Sequence, residues 1–346
     1  MEWSTLRNAI IRKCKEHRKG DEYSEALLSY SEKLFVQNLP IITCPAHLSL
    51  LIGLEHDYVC RMAFSPEHFY RHFTIKKANG KDRSIDEPLP DLKFVQQWIL
   101  SNILENVPVS TYAKAFIKKR GVKENARFHR AQTVVVTMDI KDFFPSINLQ
   151  QIVNIFCTLG YSNDVSNFIA HLCCYHYSLP QGAPTSPYLS NIRMREFDKK
   201  VVDYSSPLKI RYTRYADDIS LSGNFNPHTA IKYLSSLVFK EGFSINAEKT
   251  RVAYQNARQE ITGIVVNSHM QVPKAQRKKI RQEVYYIKKY GLDSHLSHIS
   301  ETRENYLNHL LGKINFARYI NPKDQEMQEY YETIKKILIL FRNESF

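Results

Sequence analysis

Two adjacent carboxylates, Asp217 and Asp218, close a Tyr-Ala-Asp-Asp sequence at residues 215–218, between two stretches that read as strands. Ile210-Arg211-Tyr212-Thr213-Arg214-Tyr215 is rich in β-branched and aromatic residues, and Ile219-Ser220-Leu221-Ser222 alternates apolar with polar. A hairpin tip that gathers two negative charges needs a counter-charge, and hard divalent cations are what carboxylate oxygens prefer. A third acid, Asp139, ends the nearly all-apolar run 133–138, a composition that suits a strand buried on both faces. Carboxylates delivered by separate strands of one sheet are what two-metal nucleotidyl transfer requires, with ions about 4 Å apart.

The elements that must position these acids follow from periodicity. Residues 1–65 read as helical, with Leu27, Leu28, Leu34 and Phe35 at helical spacing and Pro40 and Pro45 breaking the pattern. Residues 72–77 and 83–85 form an extended pair around Asn79-Gly80, a strong hairpin signal. Beyond Pro88 and Pro90, the residues Phe94, Val95, Trp98, Ile99 and Ile103 make the apolar stripe of a helix. Helices are expected at 149–159, 165–173, 187–202 and 228–240, a β segment ends in Ile264-Val265-Val266, and everything from Lys274 reads as helix through Phe341. Mixed β in the middle with helical ends predicts an α+β catalytic core carrying a helical tail.

The chain has 346 residues, 43% hydrophobic, and a formal net charge of +13. That excludes a disordered chain and points to a polyanionic partner, since Lys and Arg gain affinity by releasing counterions from phosphates. The charge is blocked: residues 114–130 hold seven Lys/Arg against Glu124, and residues 274–289 hold seven against Glu283. A third cluster spans residues 7–19. Three separated basic blocks suit a long or wrapped nucleic acid. The six cysteines show no CxxC spacing, so neither a zinc site nor a disulfide framework is indicated. With no signal peptide and no apolar stretch long enough to span a bilayer, the chain reads as cytoplasmic, with no membrane partner.

These motifs together resemble the reverse transcriptases. Met138-Asp139-Ile140-Lys141-Asp142-Phe143-Phe144-Pro145-Ser146-Ile147 is similar to their first catalytic motif, Leu179-Pro180-Gln181-Gly182-Ala183-Pro184-Thr185-Ser186-Pro187 to their nucleotide-binding motif, and Tyr215-Ala216-Asp217-Asp218 to their second catalytic motif. Ile75-Lys76-Lys77 through Lys81 and Arg83 resembles the fingers hairpin. Within that superfamily the chain resembles bacterial retron enzymes. Asn125-Ala126-Arg127-Phe128-His129 matches their Asn-Ala-x-x-His element, Ile261-Thr262-Gly263 is similar to their Val-Thr-Gly with Ile for Val, and Cys173-Cys174-Tyr175 is retron-like. Group II intron enzymes share the Ala-Asp-Asp core but add a DNA-binding or endonuclease segment, which this chain, ending at Phe346, is not expected to carry.

The resemblance implies a right-hand polymerase: an N-terminal helical extension (1–65), fingers and palm built of antiparallel sheet plus helices (66–268), and a C-terminal helical thumb that binds RNA (269–346). It implies two Mg2+ ions, with Mn2+ as a substitute, held by Asp139 and Asp217, with Asp218 in a supporting place. Arg83 with Lys76 or Lys77 would meet the triphosphate, which suits forked guanidinium donors. Phe144 would be the ring that excludes a 2′-hydroxyl, with Phe143 in the core. Gln181 would contact the nucleotide or template base, with Gly182 allowing close backbone approach. Lys249 is either the proton donor to leaving pyrophosphate or a solvated lysine. Lys274, Arg277, Lys278 and Arg281 recur at helical spacing and would offer one positive face to RNA, joined by Thr262 and Gly263. Asn125 and His129 either act similarly or cap the turn entering Val134.

Retron membership further implies that the enzyme copies part of a cognate structured noncoding RNA, priming from an internal guanosine 2′-hydroxyl to leave a branched RNA–DNA hybrid. Deoxynucleoside triphosphates, that RNA and its DNA product would be its partners. A separate effector protein would complete an anti-phage system in bacterial cytoplasm. A conventionally primed reverse transcriptase, group II intron-like or other, and a polymerase-fold RNA-binding antitoxin or scaffold are the competing readings. Residues 1–65 either pack on the fingers or dock the effector.

Overall fold

The computed structural model describes residues 2–76, 80, 82–300, 303 and 305–343. Lys77, along with Asn79 and Lys81 of the expected turn, lies outside the described residues, as does the Phe341 side chain. The α+β expectation is met, with helices interleaved among antiparallel strands. Two compact units emerge, each assembled from three separated segments.

The first unit comprises Met1–Ile117, Ile140–Val202 and Ser235–Ile245. It opens with four helices, Trp3–Glu16, Asp21–Val36, Pro45–Ile52 and His56–Phe64, where the helical periodicity predicts them. Strands β1 (Tyr70–Lys76) and β2 (Asp82–Pro88) then pair antiparallel from Tyr70↔Pro88 to Lys76↔Asp82. Helices Pro90–Asn102, Leu149–Thr158 and Asn163–Cys173 follow. The helix expected over 187–202 is two, Ser186–Arg193 and Arg195–Ser205.

The second unit comprises Lys118–Asp139, Asp203–Leu234 and Asn246–Phe346. Its sheet is built from β3 (Val134–Lys141), β4 (Arg211–Tyr215), β5 (Asp218–Gly223) and β6 (Ser244–Tyr254), in the order β4-β5-β3-β6. A small hairpin, β7 (Glu260–Ile261) and β8 (Ile264–Val265), turns through Thr262 (φ 46°) and Gly263 (φ 79°). Two left-handed residues in a two-residue loop are what a tight hairpin with native strand twist demands, and Gly263 meets that without a Cβ clash. The C-terminal helices Lys274–Tyr290, Leu292–His298, Tyr306–Ile320 and Gln325–Asn343 share one hydrophobic core with the sheet's surroundings. That core runs from Val135 through Ile261 and Ile264 to Ile280, Leu310 and Ile334. Removing this much apolar area from water makes the helical tail continuous with the strands that carry the acids.

Candidate active site

Strand pairing assembles the acid cluster. Asp139 on β3 and Asp218 on β5 are cross-strand partners, and Tyr215 on β4 is the partner of Asp218 on its other side. The period-two alternation of strands puts Asp218, Ser220 and Ser222 on one face. On β3 their partners are Asp139, Thr137 and Val135. The two-residue loop Ala216-Asp217 joins β4 to β5, and Ala216 sits at φ 57°, a left-handed conformation that strains a residue with a Cβ. Arg214, completely buried, donates from Nη1 to the Ala216 carbonyl at 3.0 Å and so braces this strained turn.

The electrostatics reflect crowded negative charge. Burial, then the charges of Asp217 and Asp139, push the Asp218 carboxyl up to about 7. Lys249 donates from Nζ to Asp139 Oδ2 at 2.7 Å, with the lysine side chain 53% exposed and the aspartate 9%. That hydrogen bond, with the charges of all three acids, holds the Lys249 ammonium above its ordinary value. A cleft of about 250 Å³ opens here, lined by Asp139, Asp218, Lys249, Ser220, Arg251 and Thr262. The cleft also carries Arg258 and Glu260, and the oxygens of its carboxylates are the donors that hard cations prefer. Among the described residues, however, no group of three or more His, Cys, Asp or Glu side chains is arranged closely enough to hold a metal ion.

Residues 75–281 match the reverse transcriptase (RNA-dependent DNA polymerase) family. Over 298 residues the chain is 30% identical to the Retron Ec73 reverse transcriptase of Escherichia coli, covering 77% of this chain and 89% of that one. The chain belongs to the retron reverse transcriptases. It is also 29% identical over 266 residues to the Retron Ec86 reverse transcriptase of Escherichia coli, covering 75% of this chain and 83% of the relative. Among solved structures, telomerase from Candida albicans, in complex with a fragment of telomeric RNA, aligns with 78% of this chain and 63% of its own at a TM-score of 0.47 and 12% identity. As a retron reverse transcriptase the protein is an RNA-directed DNA polymerase. Among the described residues no helix is long and apolar enough to cross a membrane.

The other residues singled out in this reverse transcriptase fall into three sets. In the first unit, Lys76 and Arg83 are exposed on β1 and β2, and Gln181 and Gly182 lie in a loop tied to β2 by the Asp86 N–H donating to the Gln181 carbonyl at 2.9 Å. A Cβ on Gly182 would stand 2.6 Å from the Asp86 carbonyl oxygen, which explains the glycine. Phe143 is buried, 5.9 Å from the Phe243 ring, whereas Phe144 is half-buried with Phe116 6.2 Å away.

The retron-like Asn-Ala-x-x-His element requires a correction. Asn125 and His129 are 0% exposed, so they are not placed to touch RNA. The single hydroxyl proton of Thr213 goes to Asn125 Oδ1 at 2.5 Å, so His129 Nε2 donates to Thr213 Oγ1 at 2.7 Å. Its Nδ1 then accepts from Ser222 Oγ at 2.7 Å. Asn125 Nδ2 also reaches Thr262 Oγ1 at 3.5 Å. The helix Val122–Phe128 is thereby fastened to β4, β5 and the Thr262-Gly263 turn, beside the cleft.

The basic helix Lys274–Tyr290 is less uniformly positive than its sequence suggests. Arg277 pairs with Asp324 at 3.1 Å and Glu326 at 2.6 Å, and Arg281 pairs with Glu326 at 2.6 Å. Glu283 is buried and bound by Lys313. Lys274 and Lys278 are exposed. Two residues escaped the sequence reading: Arg214, one of two arginines in β4 with no signal to mark it as the buried one, and Asp86, whose place follows from tertiary contact alone.

Proposed function

We propose that this polymerase copies part of a cognate structured RNA into DNA by two-metal nucleotidyl transfer at Asp139, Asp217 and Asp218. The observation that supports this most is the cross-strand pairing of Asp139 with Asp218, with Asp217 in the adjoining turn, in a chain of the retron family. Divalent cations held there, Mg2+ first and Mn2+ in its place, would lower the pKa of the attacking hydroxyl and neutralise charge on the leaving pyrophosphate. The hydroxyl oxygen bonds to the α-phosphorus, the bond from phosphorus to pyrophosphate breaks, and the hydroxyl proton passes to solvent water. Lys249 Nζ, released from Asp139, has a proton to give to the pyrophosphate oxygen as it leaves.

Arg83 and Lys76 would bind the triphosphate, Gln181 the base, and the Phe144 ring would lie against the sugar and exclude a 2′-hydroxyl. Lys274 and Lys278 are exposed and suit phosphate contact; Arg277 and Arg281 would join them only by sharing with Glu326. The primer would be an internal guanosine 2′-hydroxyl of the RNA, the product a branched RNA–DNA hybrid, and the setting an anti-phage system with a separate effector protein. Expressing the chain with its native flanking DNA and purifying it tests this. A short DNA joined to RNA, released by a debranching enzyme, is the expected companion. RNA alone, or DNA with no branch, would replace this reading with conventional priming or an RNA-binding scaffold.

A further inference from the structure

The loop carrying Gln181 and Gly182 is held by the neighbouring β2 as well as by its own turn. In β2, the backbone of Asp86 donates to the Gln181 carbonyl at 2.9 Å, and its carbonyl oxygen packs so closely that Gly182 has no room for a Cβ. The Asp86 side chain points to a second anchor. Its Oδ1 lies 2.8 Å from His72 Nδ1 on β1, where His72 and Asp86 are cross-strand partners. A carboxylate only accepts, so Nδ1 carries the proton, and in the neutral ring Nε2 then accepts from Tyr175 Oη at 3.2 Å.

Tyr175 is fixed in turn. Its ring lies 4.6 Å from that of Tyr70, and Gln96 Nε2 donates to both the Tyr70 hydroxyl and the Leu172 carbonyl at 2.9 Å. Tyr175, Tyr70 and Gln96 are all buried. Tyr175 also starts the turn through His176 (φ 46°) and Tyr177 (φ 59°), closed by reciprocal bonds between Tyr175 and Ser178, that leads directly into Leu179-Pro180-Gln181. The relay therefore leaves β2 at Asp86, crosses His72 to Tyr175, and returns to the same loop along the backbone. Cys173 and Cys174, just before it, are buried, with the Cys173 thiol pushed up to about 12 by burial, so the Cys-Cys-Tyr motif supplies packing and a tyrosine, not a reactive thiol.

We propose that Asp86 and His72 are positioning residues for the incoming nucleotide: they lock the hairpin that carries Lys76 and Arg83 to the loop that carries Gln181, so that the triphosphate and base contacts are held at one fixed spacing. This rests on the nucleotide-site reading above. A rigid spacing between two halves of one ligand's site acts on binding, because a loose site must be ordered each time a nucleotide arrives. The chemistry, carried by the aspartates, is a separate matter.

The test is steady-state extension of a DNA primer on an RNA template, measuring KM for the deoxynucleoside triphosphate and kcat separately. Asp86→Ala and His72→Ala should each raise KM about fivefold, allowing for the partial exposure of both groups, with kcat within about twofold of wild type. His72→Gln, which keeps a donor toward Asp86, should recover part of the loss. Arg83→Ala and Gln181→Ala serve as references. If they raise KM while Asp86→Ala and His72→Ala leave it unchanged, or lower only kcat, the relay has no positioning role. If Arg83→Ala and Gln181→Ala themselves leave KM unchanged, the nucleotide-site reading falls and this inference with it.

Discussion

Asp139 and Asp218 stand opposite each other on β3 and β5, so the register of the sheet itself delivers two of the three acids to one place. Burying a carboxylate beside like charges leaves a mark that can be read without any assay of DNA synthesis. The Asp218 carboxyl, at about 7, takes up its proton more readily in the folded protein than in the unfolded chain. Its contribution is thus fully present below the unfolded value and is lost as pH rises through the folded one. In chelator, wild type should lose roughly 2 kcal/mol more stability than Asp218→Asn between about pH 4 and about pH 7. Urea denaturation across that range measures the difference, and parallel curves would contradict it. At pH 8, added Mg2+ should raise the melting temperature of wild type more than that of the variant.

Phe144 is the half-buried member of an aromatic pair whose other member is core. Phe144→Val should let ribonucleotides in, lowering the preference for deoxynucleotides by about tenfold or more in kcat/KM with little loss of stability. Unchanged sugar discrimination would remove Phe144 from the nucleotide site.

His129 sits where its removal takes the acceptor from the buried Ser222 hydroxyl and a donor from Thr213, whose own proton still goes to Asn125. His129→Ala should cost about 2–4 kcal/mol of folding stability. The RNA affinity of the molecules that remain folded should stay within about twofold, because a side chain outside the RNA interface removes no phosphate contact. Chemical denaturation alongside filter binding separates the two, and a large affinity loss at full stability would return His129 to the RNA surface.

Gly182→Ala places a Cβ 2.6 Å from the Asp86 carbonyl oxygen at a backbone φ of 144°. Strain and overpacking of this kind cost about 1–3 kcal/mol, which the loop relieves by moving off β2. The expected result is a KM for deoxynucleotides raised about tenfold, measured by primer extension.

What the sequence disclosed was what local chemistry dictates. Strand-forming composition around Asp139 and Asp217-Asp218 located the sheet, and Pro, Gly and apolar spacing located most helices. Which acid stands opposite which was not legible, because register is set by pairing between distant strands, and it is that pairing that sets Asp218 opposite Asp139. The burial of Asn125 and His129 was likewise invisible, since polar residues near a basic block read as surface until Thr213 and Ser222 are seen to satisfy them. Arg277 and Arg281 looked unpaired because their acid partners, Asp324 and Glu326, lie more than forty residues farther along the chain.

The central claim is that the acid cluster performs the transfer. Single-turnover incorporation of one deoxynucleotide on an RNA template, comparing wild type with Asp217→Asn and Asp139→Asn at saturating Mg2+, tests it most directly. Each variant should still bind template with wild-type affinity and lose at least about a thousandfold in rate, some 4 kcal/mol of transition-state stabilisation. A variant that keeps its template affinity and incorporates at close to the wild-type rate would show that the chemistry is done elsewhere.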